Sequence, residues 1–129
     1  GEAALGVKNT SQWSKDLDNK ANKKFVQDFQ KEYGRLPSLY ASQGYDTGKL
    51  LISALNVADV KDQDKFRSAL KNANFESTRG SFKFDTNQHP IQDIYVREVI
   101  KEGKILTNKI ISTGLKNRSN AYVKDCPLK

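Results

Sequence analysis

Apolar side chains recur every four residues at Ala21, Phe25, Phe29 and Tyr33, with Val26 beside them. Positions four apart share a face at a helical period of about 3.6, so this stretch predicts an amphipathic helix. Asn19 is its expected N-cap and Gly34 its stop, with Arg35, Leu36 and Pro37 as a connector. A second helix has its core at Tyr45 to Val57, where Leu50, Leu51, Ala54, Leu55 and Ala58 make an apolar face. Ser38 either caps that helix or begins an extended stretch to Gln43. Gly44 and Gly48 read as a small-residue pair for close packing on a sheet. A third helix is expected from about Asp62 to Ala73, with Phe66, Ala69, Leu70 and Ala73 inward.

The period then changes. Residues 81–84 alternate polar and aromatic, and Asp85 to Gln88 form a turn. Ile91 to Ile100 has strand composition: Ile94, Val96 and Ile100 share one face, and Tyr95, Arg97 and Val99 the other. Glu102 and Gly103 turn the chain into a returning strand through Ile105, Leu106, Ile110 and Ile111. At the start, Ala3 to Val7 read as a short buried strand, and from Gly114 onward the chain reads as a polar, loosely attached tail apart from Tyr122 and Val123. Helices thus dominate the first half and strands the second, an α/β pattern.

Composition narrows the function classes. The 129 residues match one ordinary domain in size, and 36% apolar content suffices for a modest core. No apolar run reaches the roughly 18 residues of a membrane span. The net charge of +7 lies wholly in residues 65–129, which hold thirteen basic and six acidic side chains; residues 1–64 hold nine of each. The basic residues are dispersed singly and lack interleaved aromatics, so a solvated surface is favoured over a nucleic-acid partner. A single cysteine, Cys126, excludes an internal disulfide, and it is read equally as a free thiol or as one with a partner elsewhere. A single histidine, His89, excludes motifs of paired histidines, and no nucleophile elbow, Gly-rich phosphate loop or paired-carboxylate motif is present. No enzymatic set emerges.

Several local patterns coincide in order and spacing. Leu17-Asp18-Asn19-Lys20-Ala21-Asn22 is followed by Glu32-Tyr33-Gly34-Arg35-Leu36-Pro37-Ser38, then Ser42-Gln43-Gly44-Tyr45-Asp46. Arg79-Gly80-Ser81-Phe82-Lys83-Phe84-Asp85 and Pro90-Ile91-Gln92-Asp93 come later. Together they resemble the C-terminal portion of solute-binding proteins of ABC transporters, in the branched-chain amino-acid (type 1 periplasmic) class. The resemblance implies a Rossmann-like type 1 fold of two lobes with a ligand between them, of which this chain is a fragment holding parts of both. Residues 1–8 would be a strand of the second lobe, 9–93 part of the first, and 94–129 the C-terminal hairpin and tail of the second. It also implies that the loops holding the ligand carboxylate lie upstream of Gly1.

By position, the resemblance makes Tyr40 a cleft-facing aromatic, and Trp13 and Gln43 further ligand-binding candidates; for each, ordinary packing or helix-start solvation is the alternative. Gln92 and Asp93 fall at the last crossover as hinge candidates. The implied function is capture of a small carboxylate, an amino acid or aromatic acid, in the periplasm and its delivery to a membrane permease, with no cofactor. The Gln88-His89-Pro90-Ile91-Gln92-Asp93 stretch looks closest to members that capture aromatic acids. The alternatives are a ligand-sensing domain of the same fold and, more remotely, a small basic nucleic-acid-binding domain. An isolated fragment is also expected to self-associate or swap, since partial lobes expose apolar edges.

Overall fold

The computed structural model describes residues 1–128. Three helices and four strands carry the fold: β1 (Lys8–Ser11), α1 (Lys20–Tyr33), α2 (Leu39–Leu55), α3 (Gln63–Asn72), β2 (Lys83–Phe84), β3 (Pro90–Glu102) and β4 (Ile105–Arg118).

The helix boundaries follow their local signals. The Asn19 side chain accepts the Asn22 N–H at 2.8 Å, and Gly34, at φ 64°, donates its N–H to the Gln30 carbonyl. Both are orphan groups that a helix end must satisfy. Ser38 caps α2 by accepting the Ala41 N–H at 3.3 Å, so the helix starts six residues before Tyr45 and, of residues 38–43, only Ser38 itself is extended. Asp62 caps α3, and Ala73 closes it in a left-handed conformation at φ 46°.

Two expectations are corrected. Ala3 to Val7 is not a strand: Glu2–Ala4 form one turn of 3-10 helix, and Gly6 turns the chain at φ 78°. Two alanines and a leucine carry little β-propensity, and pairing begins only where Gly6 and Val7 exchange hydrogen bonds with Val99, each at 2.9 Å. The strand proper is the polar Lys8–Ser11. At the other end, the chain from Gly114 is not a loose tail. β4 continues to Arg118, pairing Leu115 with Ile94 and Arg118 with Gln92. A ladder is held by main-chain groups, so the polar composition there does not stop it. Gly114 lies so close to β3 that a Cβ on it would stand 3.3 Å from Val96 Cγ2.

All the strand pairs are antiparallel. β3 organises them. Its first residues, Pro90 and Ile91, pair with β2 next to the helices, and Tyr95 to Glu98 run between β1 and β4. The β3–β4 register slips between Gln92 and Ile94, again before Tyr95, and a third time between Val96 and Arg97, so the strand is irregular from the passage between the two surroundings onward to Arg97.

The core is aromatic and small. Trp13, Leu17 and Phe25 are buried, with Phe29, Tyr45, Tyr95 and Ile110 packed around them. Phe25 stands edge-on to Trp13 at 6.2 Å and tilted against Tyr45 at 4.9 Å. In α2 the buried positions are Ser42, Asp46 and Ala54, while Leu51, Ile52 and Leu55 are exposed. Of the apolar face expected to pack inward, Ala54 is buried and Leu50 and Ala58 are half-buried, while Leu51 and Leu55 face outward. Gly44 and Gly48 likewise border open space rather than a sheet.

Candidate functional site

A cavity of about 290 Å³ opens between the start of α2 and the sheet. Its walls are residues 13–15, the connector and first turn of α2 at 36–40, and Arg97, Thr107 and Asn108 from the hairpin. The Ser38 cap places Tyr40 in the first helical turn, where the residue is 79% exposed and lines this cavity.

Opposite stands a polar frame built on strand register. Asn9 of β1 lies directly across from Arg97 of β3. The Asn9 side-chain oxygen accepts from Arg97 Nε at 2.9 Å and Nη2 at 2.6 Å, and Arg97 Nη1 donates to the Trp13 carbonyl at 2.9 Å. The Asn9 amide in turn donates to Asn108 Oδ1 at 2.6 Å. Burial lowers the Arg97 pKa, and the charge of Asp16 works against that shift. Lys15, also in the lining, pairs with Glu102 at 2.9 Å. Asp16 holds the segment in place by accepting from Ser14 Oγ and from the Ile110 N–H. Among the residues lining the cavity two are cationic and none is acidic. Glu102 pairs with Lys15, which leaves Arg97 as the lining cation that favours an anionic or electron-rich guest.

The sequence candidates separate into three places. Tyr40 and Trp13 meet at this cavity, but in different roles. Trp13 is only 3% exposed, belongs to the core, and donates its indole N–H to Asn22 Oδ1 at 2.7 Å. Gln43 lies further along α2, outside the lining, where its carbonyl accepts the Thr47 hydroxyl.

Gln92 and Asp93 sit at the irregular part of β3. Asp93 accepts the Asn117 N–H of β4 at 2.8 Å, and Gln92 Oε1 accepts from Arg79 Nη1 at 2.9 Å. Burial first, then the Asp93 charge, push the Tyr95 phenol up. Arg79 leads back to α2 through the buried Asp46, which accepts from Arg79 Nε, Ser77 Oγ and the Thr78 N–H. Ser42 and Thr78 close this network hydroxyl to hydroxyl at 2.8 Å.

Arg97, Lys15 and Asn108 were not singled out from the sequence. The available signal was Arg97 itself, a cation between Tyr95 and Val99 on an otherwise apolar strand face.

Comparisons with known proteins identify the family and the fold. A family described as periplasmic binding protein matches residues 1–104. The Leu/Ile/Val-binding protein homolog 6 of Brucella abortus is 35% identical over 107 residues, covering 78% of this chain and 27% of the relative. A solute-binding protein of an ABC transporter from R. palustris, solved with benzoate, superimposes with a TM-score of 0.85 at 31% identity, covering 94% of this chain and 33% of that one. A second R. palustris solute-binding protein, solved with 3,4-dihydroxybenzoic acid, gives 0.81 at 31% identity, over 94% of this chain and 34% of that one. The chain thus spans between a quarter and a third of the length of these relatives, and its helices and hairpin superimpose on the type 1 solute-binding fold. With residues 1–104 matched to the family model, the chain belongs to the periplasmic binding protein family.

Proposed function

We propose that this chain forms part of the solute-binding component of an ABC importer in the periplasm, and that its cavity is one wall of a cleft for a small carboxylate. The single observation that carries this reading is the cavity lining: an exposed tyrosine shares it with Arg97, a cation with no carboxylate within ion-pair distance among the described residues. Residues 9–93 belong to one lobe, and residues 1–8 and 94–129 to the other. The ligand carboxylate is held by main-chain N–H groups in the portion of the longer protein outside this chain. Tyr40 and Arg97 then approach the remainder of the ligand from opposite walls.

In this reading no bond is made or broken. Binding works by closure of two lobes: a ligand touching both favours the closed state by its differential affinity. Gln92 and Asp93, where β3 is irregular, absorb the backbone change. The curated relative's name and the bound molecules of the solved structures support two ligand classes, branched-chain amino acids and aromatic acids. The aromatic rim favours the second.

Titration calorimetry on the whole protein with benzoate and leucine tests this. Binding of benzoate in the micromolar range or tighter is expected. Binding of neither carboxylate would remove the reading.

A further inference from the structure

We infer that Arg97 is a specificity-determining residue that favours ligands carrying an oxygen acceptor at the end opposite their carboxylate, such as para-hydroxylated or para-carboxylated aromatic acids. The inference rests on the reading of this cavity as the carboxylate-ligand site. A guanidinium carries five N–H donors in a fixed fork. Three are used in Arg97, two on the Asn9 amide oxygen and one on the Trp13 carbonyl. The two that remain, one on each Nη, have no protein acceptor among the described residues. Nor does any carboxylate among them lie within ion-pair distance of Arg97, in contrast to Lys15 and Arg79.

The group is also fixed in place. Asn9 is held by Asn108, and Trp13 is locked into the core by Asn22, so the fork cannot turn away without breaking bonds that are 2.6 to 2.9 Å long. A half-buried, oriented cation with spare donors is costly to cover with an apolar group. When the lobes close, a ligand ending in hydrogen or methyl removes water from those donors and returns nothing. A ligand ending in hydroxyl or carboxylate replaces the water. Sites built to meet a hydroxyl discriminate strongly against analogues lacking it, whereas apolar pockets discriminate weakly between similar shapes.

The test is calorimetry on the whole protein with benzoate, para-toluate, para-hydroxybenzoate and terephthalate. The wild type should bind the last two at least ~10-fold tighter than the first two, a step of about 1.4 kcal/mol. In Arg97→Met the ratio should fall to near unity. The para-toluate comparison needs no variant: its methyl fills the same space as the hydroxyl, so the test survives if Arg97→Met fails to fold. Wild-type affinity for para-toluate equal to or tighter than for para-hydroxybenzoate overturns the inference. So does a preference that persists in a folded Arg97→Met. Binding of leucine or benzoate without the preference would refute the role of Arg97 alone, whereas binding of no carboxylate would refute the site as well.

Discussion

The Trp13 indole N–H donates to Asn22 Oδ1 at 2.7 Å, and the Asn22 amide reaches back to the carbonyls of Ser14, Lys15 and Leu17. One fully buried side chain on α1 thereby fixes the whole segment that forms a wall of the cavity. No local helix signal requires an asparagine there. Its function is to satisfy polar groups of a segment with no secondary structure of its own.

Asn22→Ala should therefore destabilise the whole protein by about 2–4 kcal/mol, since it strands the indole N–H and buried carbonyls together. Urea unfolding followed by Trp13 fluorescence measures this. A loss below about 0.5 kcal/mol, the scale of surface substitutions, would show that water replaces the amide without cost.

The ion pair of Asp46 and Arg79 is buried at both ends, with side-chain exposures of 2% and 9%. Asp46→Ala leaves Arg79 Nε, the Ser77 hydroxyl and the Thr78 N–H without their acceptor and removes the countercharge of Arg79. The expected cost is about 3–5 kcal/mol, the range for removing one partner of a buried pair. Replacing both residues with apolar side chains of similar volume should cost less than the single change, because no charge is then stranded. A double-mutant cycle by chemical denaturation decides between these outcomes.

Tyr40→Ala should behave differently, because the residue is mostly exposed. Stability should change by less than about 0.5 kcal/mol, while ligand binding by the whole protein should weaken by about 1–3 kcal/mol. Calorimetry and thermal melting together separate the two effects. Unchanged affinity in the folded variant would take Tyr40 out of the site.

Asp62 caps α3, and its side-chain bond with Lys65, then the Lys65 backbone N–H, hold its carboxyl below the usual carboxylate range. A depressed folded pKa contributes stability that is present above the unfolded value and lost as pH falls through the folded one. The start of α3 should accordingly fray under acid, below the ordinary titration range of aspartate. Amide hydrogen exchange of Lys65 and Phe66 across that range reads it directly. In Asp62→Asn, which keeps an accepting oxygen without a titrating charge, the pH dependence should vanish while the cap remains.

Helix α1 was legible in the sequence almost to the residue, because Asn19, the four-residue apolar spacing and Gly34 act through bonds within a few positions of one another. The same holds for α3 and for the turn joining β3 to β4. Family membership was legible too, since it rests on the order of short motifs. Tertiary structure alone decided the rest. Whether Lys8–Ser11 or Ala3 to Val7 pairs with β3, and whether β4 stops at Gly114, depends on partners distant in the chain that leave no periodic trace. The cavity wall depends on them still more. Arg97 reaches Asn9 across 88 positions and Trp13 across 84, and only the strand register that brings them opposite turns a lone cation on an apolar strand into an oriented, partly unpartnered donor.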